Sequence, residues 1–229
     1  NLRPEYSHSF STSLDYYFKI GKMEANLLAE GFFTRINDIF ILTETGLNAN
    51  GNIIMERQNG SGAKVSGINI EGKLAPSTKV QLQFGYTLQQ SLYNNAERWS
   101  DDPNVLPERK ILRTPDDYGY FSLSINPARQ LSLSATGTYT GSMLAPHFAG
   151  YIINDRLETT PAFFDANLKA SYDFKLKGVN LQISGGMKNI FNSYQSDLDK
   201  GALRDAGFVY GPGMPRTIFI SLKIGSLSF

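Results

Sequence analysis

Period-two alternation constrains this chain more than any other feature. Phe164, Ala166, Leu168, Ala170, Tyr172 and Phe174 interleave with Asp165, Asn167, Lys169, Ser171 and Asp173. Successive side chains of a strand point to opposite sides, so this segment is a strand with one apolar and one polar face. Segments of roughly ten such residues recur along the chain, the pattern of a β-barrel that crosses an outer membrane. The expected role is passage or binding at a membrane, not catalysis.

The alternation predicts about nine strands. The first covers 7–20, with Phe10, Leu14, Tyr16, Phe18 and Ile20 opposite Ser9, Ser11, Ser13, Asp15 and Lys19. The second runs from Met23 to Leu42, after a Gly21-Lys22 turn, and an Asn/Gly-rich loop follows over 46–62. The third is placed at 63–74 and the fourth at 79–92, joined by a turn over 75–78. A loop holding Trp99, Asp101, Asp102, Pro103 and Pro107 leads to the fifth, 118–125, and a turn over 126–129 to the sixth, 130–140. A long loop over 141–161 precedes the seventh, 164–174. Lys177-Gly178 turns it into the eighth, 179–191, and a last long loop over 192–215 leads to the ninth, 216–224.

Short and long connections alternate, so every long one falls at one end of the sheet. The short ones hold about two to five residues and the long ones about fifteen to twenty-five, a length that usually carries function. Short turns on the periplasmic side and long loops outside is the outer-membrane arrangement. The apolar faces carry almost no charge, as lipid requires, since a charge at mid-depth costs about 2–4 kcal/mol. Tyr16, Phe18, Tyr172 and Phe174 lie near the short turns, where aromatics form an interfacial girdle. A soluble β-sandwich also alternates, but strands longer than the usual five to six or so residues favour the barrel. Bacterial single-chain barrels have even strand numbers. An odd count therefore marks the chain as the carboxyl-terminal part of a larger barrel; a miscount by one would allow a complete small barrel.

Composition narrows the partners. A net charge of +1 over 229 residues speaks against nucleic acid, and the lack of cysteine rules out disulfides and thiolate metal sites. No stretch approaches the ~18 apolar residues of a membrane helix, which leaves a barrel open. The chain opens at Asn1 with neither initiator Met nor signal segment and is read as mature or as a piece of something longer.

Several short runs carry a family likeness. Asn1-Leu2-Arg3-Pro4-Glu5 resembles an "LKPE" strand entry, and 33–38 (FTRIND) resembles "FYTRIDD". Residues 67–72 (GINIEG) resemble "GVELEG", and Arg113-Thr114-Pro115 and Tyr139-Thr140-Gly141 stand where "RTP" and "YTG" are expected. Residues 188–192 match "KNIFN", and 210–217 (YGPGMPRT) resemble the "YGP–PRT" run. Together, in this order and spacing, they resemble the carboxyl-terminal barrel of TonB-dependent outer-membrane receptors, in the form common in Bacteroidetes-type bacteria. The resemblance implies an all-β, antiparallel transmembrane barrel of twenty-two strands, filled by an amino-terminal plug. Residues 1–229 would supply about its last nine strands, without the plug or the TonB box. It also implies residence in the outer membrane, with lipid, the plug, the remaining strands, TonB and a small-molecule nutrient as partners. Family barrels often end in an aromatic in phase with the outward residues. Phe229 has the opposite parity to Ile220, Leu222 and Ile224, so it needs a break at Gly225 or lies outside the strand.

No catalytic constellation or cofactor motif is present, and the only histidines are His8 and His147. Met143 and His147 share a loop; both residue types serve as axial haem or metal ligands, but packing within the loop is the plainer reading. Tyr93, Trp99, Tyr151 and Tyr210, with His147, are the candidate ligand contacts, because exposed aromatics can stack on a sugar, haem or cobalamin ring. The segment with Asp197, Asp199, Arg204 and Asp205 matches no EF-hand, and salt bridging is the expected role. Lys19, Lys79, Lys169, Lys188 and Lys223 share the polar face with Asp15, Glu30, Asp165 and Asp173, a mixed-sign interior suited to a plug.

The leading reading is an uptake receptor for iron-siderophore, haem, cobalamin or glycan, with no cofactor of its own. Two alternatives stand beside it: a small self-contained barrel acting as adhesin or anchor, and a soluble carbohydrate-binding β-sandwich.

Overall fold

The computed structural model describes residues 2–176 and 179–226. Asn1, the Lys177-Gly178 turn and Phe229 lie outside the described residues. The strands in chain order are β1 (Tyr6–Ile20), β2 (Met23–Asn37), β3 (Phe40–Leu47), β4 (Ile53–Asn59), β5 (Ala63–Ser77), β6 (Val80–Glu97), β7 (Glu108–Lys110), β8 (Asp117–Ala128), β9 (Leu131–Thr140), β10 (Leu144–His147), β11 (Arg156–Thr159), β12 (Phe163–Leu176), β13 (Val179–Lys188) and β14 (Thr217–Ser226).

Nine of these form one antiparallel meander, β1-β2-β5-β6-β8-β9-β12-β13-β14, with β7 attached beside β6. The pairs β3-β4 and β10-β11 are separate two-stranded hairpins within the long connections. One continuous sheet with every long strand beside its sequence neighbour excludes the two-layer sandwich.

Register makes the alternation continuous across strands. Tyr16 pairs with Leu27, Leu27 with Gly72, and Gly72 with Phe84. Phe84 then pairs with Phe121, Phe121 with Gly137, Gly137 with Ala166. Farther along, Leu168 pairs with Met187 and Met187 with Ile218. A one-residue slip anywhere would carry a strand's apolar set to the other side, so the need to keep that set together on one face fixes the whole register. That face is bare: Leu14, Ile68, Leu88, Ile220 and Leu222 are all exposed, Ile220 at 84%. A contiguous apolar surface of this extent is not stable against water.

Glycines and aromatics interlock across the pairs. The rings of Phe84, Tyr120, Phe121 and Phe219 lie over Gly72, Gly85, Gly137 and Gly186 respectively, in the volume where a Cβ would stand. Each ring shields its neighbour's bare backbone and helps pin the register.

Several expected boundaries shift. The second strand stops at Asn37, not Leu42. Asp38 takes a left-handed φ of 53° and ion-pairs with Arg3 at 2.6 Å, so the chain turns there and restarts as β3. The loop expected over 46–62 holds the end of β3 and all of β4. The fourth strand continues past Leu92 to Glu97, and the fifth begins at Asp117 and extends to Ala128. The eighth ends at Lys188, not Phe191, because Asn189 is left-handed (φ 47°) and its buried side chain binds Ser193 and Met214 instead of a ladder. β14 pairs regularly through Gly225 to Ser226, without the break at Gly225.

The connections 21–22, 78–79 and 129–130 are tight and lie at one rim. The long connections 38–62, 98–116, 141–162 and 189–216 lie at the other.

Candidate functional site

Three of the long connections pack into one body. Its apolar centre is Ala145, Phe163, Phe208 and Tyr210, all buried, with Met143 against it. Burying an aromatic side chain such as Phe163 or Phe208 contributes about 1.5–3 kcal/mol. Phe208 and Tyr210 meet edge-on at 5.4 Å, and Phe163 lies 5.7 Å from Tyr210. These residues sit where β10, the start of β12 and the 189–216 connection converge.

His147, at the end of β10, lies flat on Phe208 with ring centroids 3.7 Å apart and planes within 4°. Its Nε2 is 3.1 and 3.0 Å from the two oxygens of Asp199. Its Nδ1 faces Glu158 Oε1 at 3.6 Å, and the His147 and Asp199 side chains are 5% and 2% exposed. Burial alone would raise the Asp199 carboxyl. The Asp205 backbone N–H and the His147 ring stabilise the carboxylate more than burial disfavours it, and its pKa falls below the ordinary aspartate value. Burial, and then the hydroxyl's hydrogen bond to Asp197 Oδ1 at 2.6 Å, push the Tyr210 phenol well above the ordinary tyrosine value.

Carboxylates of the loops bind backbone amides. Asp205 accepts from Phe148 N–H at 3.0 Å and Gly207 N–H at 2.7 Å. Asp155 accepts from Ala149 N–H at 2.6 Å and from the Ser100 hydroxyl at 2.5 Å. Arg113, left-handed at φ 58°, donates to the carbonyls of Val209 and Gly207 and, through its own N–H, to Leu144. Arg204 donates to the Gly201 carbonyl. The carboxylates of this segment thus accept from backbone amides, the Tyr210 hydroxyl and the His147 ring, and among the described residues the salt bridging expected of the segment is confined to the His147–Asp199 pair.

The candidate ligand contacts divide. His147 and Tyr210 meet in the buried centre, turned away from solvent. Trp99 lies outside it, its indole N–H donating to Leu106 O and its ring 6.1 Å from the exposed Phe148. Tyr151 stands apart and exposed. Tyr93 belongs to β6, its carbonyl accepting from Arg109. Both ring nitrogens of His147 face carboxylates and Met143 packs on the apolar centre, so neither presents itself to a haem. Among the described residues no group of acidic or histidine side chains is arranged to hold a metal. Asn189 and Asp155 were not foreseen as organising residues. Asn189 stood in the KNIFN run, the one signal that could have found it.

The polar face of the sheet carries a second feature. Glu30, Phe32, Asn69, Glu71, Thr87, Tyr118 and Tyr120 line a concavity of about 330 Å³ on strands β2, β5, β6 and β8. Neither glutamate has a cationic partner within the described residues.

Residues 1–190 match the family described as "TonB dependent receptor-like, beta-barrel". No curated protein sequence matches the chain. Among solved structures, it resembles the ferric-catecholate import receptor Fiu from E. coli K12 (TM-score 0.63, 18% identity, covering 94% of this chain and 27% of that one). It also resembles the siderophore receptor PirA from Acinetobacter baumannii (TM-score 0.60, 16% identity, 96% and 32%). A third likeness is to the copper transporter OprC (TM-score 0.62, 16% identity, 99% and 32%). The chain thus spans about a third or less of the length of these structures, and at such identities they establish the fold alone.

Proposed function

Because the chain belongs to the TonB-dependent receptor-like β-barrel family, whose barrels reside in the outer membrane, we propose that it forms part of the wall and the outer loops of an uptake receptor. The observation that carries this reading is the sheet itself: predominantly apolar on one side from the short-turn rim through mid-sheet, mostly polar on the other, with all long connections at one rim. Lipid covers the apolar side, and the loops face the exterior.

Within the described residues β1 and β14 each have a single neighbour, so their free edges are ready to pair with further strands of a larger barrel. The Glu30–Glu71 concavity supports a plug inside it. Two uncompensated carboxylates between Tyr118, Tyr120 and Phe32 suit cationic side chains of an internal domain better than an open channel. TonB would drive that plug, and the wall itself performs no chemistry. The cargo is a scarce nutrient of the iron-siderophore, haem, cobalamin or glycan class; Fiu is a ferric-catecholate import receptor, PirA a siderophore receptor and OprC a copper transporter.

The test is uptake by cells expressing the complete receptor, with and without TonB, of radiolabelled ferric enterobactin, ferric citrate, haemin, cyanocobalamin and maltooligosaccharide. TonB-dependent accumulation of one of them supports the proposal. Binding or adhesion that is unchanged without TonB, with no accumulation of any probe, would replace it with the anchor reading.

A further inference from the structure

Hydrogen bonds divide the outer connections into two mechanical parts. The 98–116 connection is tied to 141–162 by Ser100 to Asp155 and by Arg113 N–H to Leu144 O, and to 189–216 by the Arg113 guanidinium to Gly207 and Val209. The 141–162 and 189–216 connections are joined by Phe148 N–H to Asp205 and by His147 to Asp199. His147 is the centre of that join. It stacks on Phe208, faces Glu158 of its own hairpin and binds Asp199, whose second contact is the backbone of Asp205. Asp205 in turn holds Phe148, the residue next to His147.

The 38–62 connection behaves otherwise. Among the described residues its β3-β4 hairpin is fastened only at its base: Asn59 to Arg3 and Asp38, Phe40 N–H to Glu5, and Gly60 N–H to Ile39 O, with Ser61 on Glu97 below. From Leu42 to Gln58 every hydrogen bond among the described residues stays within the hairpin. Left-handed Asp38 and Gly62 bracket it, with φ of 53° and 86°.

We infer that the 98–116, 141–162 and 189–216 connections move as one cap, latched by His147 on Asp199, while the β3-β4 hairpin opens and closes independently of it. His147 is a positioning residue here. A ligand entering from outside meets one movable hairpin and one rigid cap, not four independent loops. The inference depends on the loop contacts and not on the nature of the cargo.

Hydrogen–deuterium exchange of the complete receptor in detergent micelles, read by mass spectrometry, tests it. In the unaltered protein, segments 98–116, 144–160 and 195–210 should share one slow opening, and 42–58 should exchange faster. His147→Ala should accelerate exchange at Phe148, Ala149 and Asp205 by about tenfold to a hundredfold, the scale of losing a hydrogen bond to a charged group. Asp199→Asn should act similarly, and the double variant should add little to either. His147→Gln, whose amide nitrogen stands near the place of Nε2 and can still donate to Asp199, should recover part of the protection. Tyr151→Ala, on the exposed tip, should change nothing, and unchanged protection of β12 and β13 would show that the sheet is intact. Acceleration confined to 144–150, additive single effects, or hairpin exchange that rises in step with the cap would overturn the inference.

Discussion

Placing an arginine along the apolar face of β12 measures what covers it. The strand has fourteen residues. At about 3.3 Å per residue and a tilt of about 40° it rises roughly 35 Å, more than the apolar band of about 25 Å around such barrels. Leu168 lies on this face near mid-strand, between Ala135 and Met187, and Leu176 lies at the short-turn end. If lipid covers the face, Leu168→Arg should cost about 2–4 kcal/mol and Leu176→Arg only about 0–1 kcal/mol. The former is roughly a 30- to 700-fold loss in the folded-to-unfolded ratio. Asn167→Arg, next to Leu168 but on the polar side, should cost well under Leu168→Arg. The assay is guanidinium unfolding of the complete receptor from lipid vesicles, with the barrel's tryptophan emission as signal. A protein layer against this face would penalise Leu168 and Leu176 alike, because its cost does not follow bilayer depth. A flat profile, or an Asn167→Arg penalty equal to that of Leu168→Arg, would refute the reasoning.

Other outcomes follow from the same contacts. Gly137→Val should destabilise by about 1–3 kcal/mol, because its side chain enters the space of the Phe121 ring, and the same unfolding assay reads it. Tyr210→Phe should cost about 1.5–3 kcal/mol through the lost bond to Asp197, measured as earlier proteolytic release of the 189–216 segment. Because the folded-state pKa of Tyr210 is raised, its contribution is complete below the ordinary tyrosine value near 10. It should be lost only as pH rises above that, seen as alkaline proteolysis of the same segment. Asp199 has the opposite sign. Its pKa is lowered by folding, so its contribution is present above the ordinary aspartate value and should fade as pH falls through the folded one; exchange at Phe148 and Asp205 should then rise in acid, and Asp199→Asn should abolish that rise.

The sheet was legible in the sequence because its faces are written residue by residue. Phe164 to Phe174 alternate without a fault, and β12 uses each of them as expected. The turns at Gly21-Lys22 and Asn126–Arg129 could be placed because their residues break strand pattern, though the second moved by a few residues. The hairpin β3-β4 was hidden. Its Asn48–Asn52 turn has the composition of a loop, and nothing in a period-two pattern announces that Asp38 turns left-handed to meet Arg3. The cap was hidden for a different reason. His147 and Asp199 are separated by 52 positions. Their meeting depends on where β10 and the last long connection fold, which no local spacing records. Tyr210 and His147 stand out in the sequence by their chemistry, but the fold buries both.

The central claim is that the Leu/Ile/Phe side of this wall faces hydrocarbon and the Ser/Thr/Asn/Glu side does not. The chain has no cysteine, so single cysteines at Ile70, Asn69, Ile220 and Ser221 can each carry a fluorescent label at a unique site within it. In vesicles containing the complete receptor, nitroxide-bearing lipids should quench labels at 70 and 220 and leave those at 69 and 221 bright. Equal quenching at adjacent positions, or quenching at 69 and 221 instead, would contradict it.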